Sequence, residues 1–222
     1  MNKSIIDEYL VNLYLRLNGY ISTGLIVHTP TWGQTATDID IIAIKHPHHQ
    51  QNDREIQTSN FIQVPSDKQD KIDVIFCEVK NTPEALRFNN PIKNDVNTII
   101  KSLNWLGLIP TGEVDDLAVK IIEMFKDNAP IALTSTGVTY ENFNFRALLC
   151  CPNLHTPYGQ WALNCNEIFT FISRCLCPEE PRNTCSTRYN FKQWGFITSD
   201  IVKYFKENKQ PNIDGLYRVF EL

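Results

Sequence analysis

The sequence predicts one α/β domain, with a central mixed β-sheet flanked by helices. Three observations predict it. Two short Ile- and Val-rich segments, residues 37–43 and 73–80, read as strands bounded by polar loops. Apolar residues recur at helical spacing over residues 6–17, and again over 95–108 and 114–125. A hydrophobic fraction of 42% in 222 residues supplies a sizeable core. No internal repeat or linker divides the chain, so residues 1–222 are expected to form a single domain.

Taken in order, Ser4 reads as an N-cap, with Asp7 three positions later. Ile6, Tyr9, Leu10, Leu13 and Leu17 then form the helical stripe, and Gly19 ends it. Residues 20–28 read as a strand, Pro30, Gly33 and Thr35 as a turn, and 38–45 as the second strand. Residues 46–71 are a polar insertion, longer than most loops, with a short strand expected at 61–64. Residues 72–80 form the third strand, and Pro110 and Gly112 separate the two helices that follow it. Strands are expected at 131–138 and 145–151, and a helix at 161–176. A turn-rich stretch at 178–188 leads to a last helix capped by Ser199, and 216–222 reads as an edge strand.

Composition narrows the setting. Seven Cys, an odd number with no C-x-x-C pair, do not make a secreted disulfide framework. Asp7, Glu8 and Arg16 interrupt the first helix, which is neither a signal peptide nor a membrane span. The expectation is a soluble cytoplasmic protein that keeps away from membranes. Formal net charge is −4, so no basic face for gripping long duplexes shows in the totals. The absence of G-x-x-x-x-G-K-[ST] gives no indication of ATP use.

The chemistry is concentrated in Thr37-Asp38-Ile39-Asp40-Ile41-Ile42-Ala43 and Asp73-Val74-Ile75-Phe76-Cys77-Glu78-Val79-Lys80. Both place ionised side chains inside apolar runs, where an unpaired charge is expensive to bury. Alternation puts Asp38 and Asp40 on one face, Glu78 and Lys80 on one face, and Ile39 together with Ile41 on the other side. If the strands are neighbours, Asp40 and Glu78 converge. Two close carboxylates repel, so one holds a proton or a cation sits between them. Mg2+, or Mn2+ in its place, suits a few carboxylate oxygens plus waters and phosphate. Lys80 is placed to orient an attacking water and to offset phosphate charge, and Glu8 reaches the same cleft from the first helix.

Glu8, Asp40 and Glu78-Val79-Lys80, in that order, resemble the PD-(D/E)XK, or restriction-endonuclease-like, nuclease superfamily. The resemblance covers about the first eighty residues. It implies a restriction-endonuclease-like core and Mg2+-dependent hydrolysis of phosphodiester bonds in nucleic acid, with DNA the expected substrate. It also implies Asp40, Glu78 and the Val79 carbonyl as metal ligands, and Glu8, Asp40, Glu78 and Lys80 as the catalytic set. Ile39 stands where the pattern's Pro would be. Many relatives of this architecture dimerise, so a homodimer or larger complex is an expected state.

Competing readings stand beside each of these. Glu78 and Lys80 also fit a same-face salt bridge on a solvated strand, and Glu8 an ordinary acid near a helix N-terminus. His46, His48 and His49 read as a solvated loop, and Cys175, Cys177 and Cys185 lack zinc-site spacing. The four Trp read as core or rim, with Trp32 the candidate for base stacking, and Lys93 and Lys101 as candidate phosphate contacts. At the level of function, the alternatives are a catalytically inactive nuclease-like module that binds nucleic acid or protein, and a phosphoesterase acting on small nucleotides.

Overall fold

The computed structural model describes residues 2–29, 31, 33–51, 56, 58–127, 135–155, 162–177 and 194–222. The expectations at Pro30, Trp32, 131–134, Trp161 and 178–188, Cys185 included, lie outside these.

Helix α1 spans Lys3–Leu17. Its cap is Asn2, not Ser4: the Asn2 side chain accepts from the Ile5 N–H at 3.1 Å, and the Ser4 hydroxyl donates to the same oxygen at 2.7 Å. Asn and Ser cap about equally well, so the helix starts at the earlier one and gains length. Gly19, at φ +90°, turns the chain out of the helix as expected.

Among the described residues six strands follow: β1 Ile21–His28, β2 Thr35–Lys45, β3 Ile72–Val79, β4 Val138–Tyr140, β5 Phe143–Cys151 and β6 Ala162–Asn164. They make one mixed sheet in the order β1-β2-β3-β5-β4, with β6 also paired to β5. β1, β2 and β3 are antiparallel neighbours, whereas β3 and β5 run parallel. Helices α2 (Asn90–Asn94), α3 (Val96–Leu106) and α4 (Val114–Ile122) lie between β3 and β4 in sequence. Helices α5 (Cys165–Leu176), α6 (Phe196–Glu207) and α7 (Ile213–Val219) close the chain.

Strand alternation divides the core in two. Ile75, Cys77 and Val79 pack with apolar side chains of α1, α5, α6 and α7. Val74 and Phe76, on the other face, pack with those of α2, α3 and α4. The expected α/β architecture, a mixed sheet with helices on both faces, is what the chain adopts.

Several local expectations change. The helix expected over 161–176 is strand β6 followed by α5, because Asn164 accepts from the Glu167 N–H and starts the helix there. Ser199 lies inside α6, whose N-cap position is Gly195. The edge strand expected at 216–222 is helix α7: Asn212 accepts from the Gly215 N–H at 2.8 Å, and Ile213, Leu216 and Tyr217 bury one helical face. The short strand expected at 61–64 is a 3-10 turn, Asn60–Ile62. Part of the 46–71 insertion therefore packs on the core. Ile62 is buried, and the Ser59 N–H donates to the Asn18 side chain at 2.7 Å.

Candidate active site

Asp40 and Glu78 are brought together by register. The last pair of the β2/β3 ladder is Ile41 with Cys77, so the next opposed positions are Asp40 and Glu78. Asp40 also reaches the β3 backbone, its Oδ2 accepting the Val79 N–H at 2.7 Å. Lys80 follows the end of β3, with its own N–H held by the Cys150 carbonyl at 2.8 Å. Its ammonium is ion-paired with Glu78 Oε1 and donates to Asn89 Oδ1 at 3.0 Å.

A β-bulge sits at Asp40. On β1 the paired residues step from Thr23 to Leu25, while on β2 they step from Ile42 to Ile39. Asp40 and Ile41 thus stand opposite Gly24 alone. A Cβ on Gly24 would come within 3.2 Å of the Asp40 carbonyl oxygen, so the glycine leaves room for the bulge. The bulge overturns one expectation. Ile39 and Ile41 do not share a face: Ile39 packs toward α3 and α4, and Ile41 toward α1. Simple alternation fails because the extra residue shifts the phase.

The electrostatics of the cluster are those of crowded acids. Burial first, then repulsion from Asp40, pushes the Glu78 carboxyl up to about 7, against the opposing pull of Lys80. Asp40 is also raised, by burial above all, with the Val79 N–H and Lys80 working against it. Glu8, half-buried on α1, is pushed up to about 7 by burial and by the charges of Asp40, Asp38 and Asp7. Glu8 therefore shares the field of the strand acids. Asp38 is exposed and contributes its charge to all three.

Glu78 Oε2 is the one buried side-chain oxygen or nitrogen among the described residues with no hydrogen-bond partner. Such an atom is costly to leave unmatched. Among the described residues, no three His, Cys, Asp or Glu side chains form a ready metal-holding group. A cation here would rest on Asp40, Glu78, the Val79 carbonyl and water. That donor set is all oxygen, with few protein ligands, and fits Mg2+ better than a softer metal.

Sequence reasoning missed Asn89, which occupies the N-cap position of α2 but makes no cap and holds Lys80 instead. It also missed buried Asp7, which accepts from Tyr217 and Asn81. Asp7, read from the sequence as a capping acid after Ser4, falls in helical phase with Leu10 and Tyr14, and that phase was the signal of its burial. The candidate phosphate contacts are otherwise engaged. Lys93 is buried and paired with Asp127 at 2.8 Å, and Lys101 donates to the His28 carbonyl at 2.7 Å. No known protein family, curated protein or solved structure matches the chain. No helix among the described residues is long and apolar enough to cross a membrane.

Proposed function

We propose that the chain is a divalent-metal-dependent nuclease of the PD-(D/E)XK kind, hydrolysing phosphodiester bonds in nucleic acid, with DNA the expected substrate. The observation that carries this reading is the partnerless Glu78 Oε2, opposite Asp40 and beside a lysine, where two β-ladders end. Asp40, Glu78 and the Val79 carbonyl would hold Mg2+ or Mn2+. When bound, the ion acidifies water and neutralises charge developing on the phosphate.

The chain's own groups do the rest. Lys80, steadied by Glu78 and Asn89, orients the attacking water and draws in the scissile phosphate. Glu8, with its raised proton affinity, accepts or returns a proton at that water near neutral pH. The bulge at Asp40 turns its backbone out of the regular ladder beside the place where the phosphate would lie.

The test is substitution. Asp40→Ala, Glu78→Ala and Lys80→Ala each abolish Mg2+-dependent cleavage while far-UV circular dichroism stays unchanged. Retained cleavage in all three rules the mechanism out. A second reading, an inactive nuclease-like binding module, draws on the net charge of −4 and on the paired state of Lys93. Titration calorimetry separates the two: the module binds no Mn2+ in a manner dependent on Asp40 and Glu78.

A further inference from the structure

Four polar side chains that the proposed chemistry does not use meet directly behind Lys80. Asp7 comes from α1, Asn81 from the residue after Lys80, Asn153 from the turn after β5, and Tyr217 from α7. Asp7 Oδ1 accepts the Tyr217 hydroxyl at 2.7 Å, and Oδ2 accepts the Asn81 amide at 2.8 Å. The Asn153 amide donates to the Tyr217 oxygen at 2.6 Å and to the Asn81 carbonyl at 3.0 Å. Asp7 is fully buried and Tyr217 is nearly so.

A buried carboxylate is a poor way to gain stability, since apolar side chains of the same volume do at least as well. Asp7 is the hub of the cluster, accepting from Tyr217, Asn81 and, at 3.4 Å, Asn153, and two of the cluster's bonds reach Asn81. Asn81 is gripped twice, through its side chain by Asp7 and through its carbonyl by Asn153. Lys80 lies just before it, beyond the end of β3, and its backbone is tied to the sheet by a single hydrogen bond to Cys150. Without a fixed Asn81, the chain after Val79 would be free to pivot about that bond. The Lys80 ammonium would then leave Glu78 and Asn89.

We propose that Asp7, Asn81, Asn153 and Tyr217 form a positioning cluster that holds Lys80 against Glu78, so that helix α7, far along the chain, sets the geometry of the reactive amine. The consequence for cleavage rests on the nuclease reading above; the positioning of Lys80 does not.

The experiment uses the full chain carrying Tyr217→Phe, which removes one oxygen, and separately Asn81→Ala. Trace acylation with N-hydroxysuccinimidyl acetate, read by mass spectrometry, reports the freedom of each lysine. Lys80 acylation rises about five-fold or more in both variants, the population shift expected from losing one buried hydrogen bond in Asn81→Ala and two in Tyr217→Phe. Lys101 and Lys126, on other elements, stay as in the wild type. The kcat for Mg2+-dependent cleavage falls about ten-fold with KM unchanged, the pattern of a misplaced group rather than lost binding. Unchanged Lys80 acylation in both variants overturns the proposal, as does an equal rise at all three lysines. A kcat equal to wild type, where wild-type cleavage depends on Asp40 and Glu78, overturns it too. If wild-type cleavage does not depend on those acids, the nuclease reading fails, and the acylation result alone decides the cluster.

Discussion

Replacing Glu78 by Gln should stabilise the folded chain at pH 8 while abolishing its chemistry. Glu78 is 1% exposed and its carboxyl is raised from 4.5 to about 7. Below pH 4.5 it is protonated in both the folded and unfolded states and contributes nothing. Between 4.5 and 7 the unfolded chain ionises it while the folded chain still holds the proton. The folded state then binds more protons, so stability falls as pH rises. Above 7 the full loss is present. A shift of that size, at about 1.4 kcal/mol per pH unit, makes the loss roughly 3 kcal/mol. Gln keeps an oxygen for Lys80 and does not titrate. Urea unfolding in EDTA should therefore give nearly equal stabilities at pH 4.5. At pH 8 the variant should be the more stable by roughly 2–3 kcal/mol, since part of the shift is shared with Asp40. Adding Mn2+ at pH 8 should stabilise the wild type and leave the variant unmoved. A variant less stable than wild type at pH 8 would refute the reasoning, because Glu78 would then be a satisfied structural ion pair.

Two further predictions concern the frame around the site. Asp73 and Arg146 form a buried pair at 2.7 Å, joined by Tyr20 and Asn144, so Asp73→Ala strands a buried guanidinium and should cost about 3–5 kcal/mol in urea unfolding. An apolar double variant, Asp73→Leu with Arg146→Met, should recover most of that loss; losses that simply add would mean the two groups are not coupled. Gly137 has φ +78°, and a Cβ there would lie 2.2 Å from the Phe145 carbonyl oxygen, so Gly137→Ala should cost about 2 kcal/mol or more. Gly112→Ala, with open space around it, should stay within about 1 kcal/mol of wild type in the same urea unfolding.

What was legible in the sequence was local. The periodicity of residues 6–17, apart from Tyr9, which is exposed, and the apolar run at 72–80 reported burial directly, and the structure returns them with ends shifted by a few residues. Asn2 and Ser4 are both good caps, and nothing in the sequence ranks one above the other. Residues 216–222 misled because a short apolar run suits a strand or a helix equally, and the deciding cap, Asn212, lies upstream. The Asp73–Arg146 pair joins residues far apart in sequence, and pairing across parallel strands leaves no local mark. In the candidate site, the acids and the lysine were visible because charge inside an apolar run is conspicuous. Their partners were not, because Asn81, Asn89 and Asn153 read as ordinary loop residues until the fold assembles them.

The bulge at Asp40 explains why alternation alone could not place the site. A regular β2 would keep Ile39 and Ile41 on one face and continue its pairing with both neighbours. The extra residue opposite Gly24 breaks that phase at the same place where the β2/β3 ladder runs out. Two positions further along β3 than the last β2/β3 pair, the β3/β5 ladder ends as well, at Val79 with Cys150. Three interruptions of regular hydrogen bonding thus fall on Asp40, Glu78, Val79 and Lys80. Had the ladders continued, the backbone there would be satisfied by neighbouring strands, with no room for a ligand between Asp40 and Glu78. At that end of the sheet, burial and the crowding of acidic charges raise the proton affinities of Glu8, Asp40 and Glu78, and one Glu78 oxygen is left unmatched. Such a cost is tolerated where a cation or a reaction relieves it, which is the physical ground for proposing the chemistry at this end of the sheet rather than at the fully satisfied Asp73–Arg146 pair.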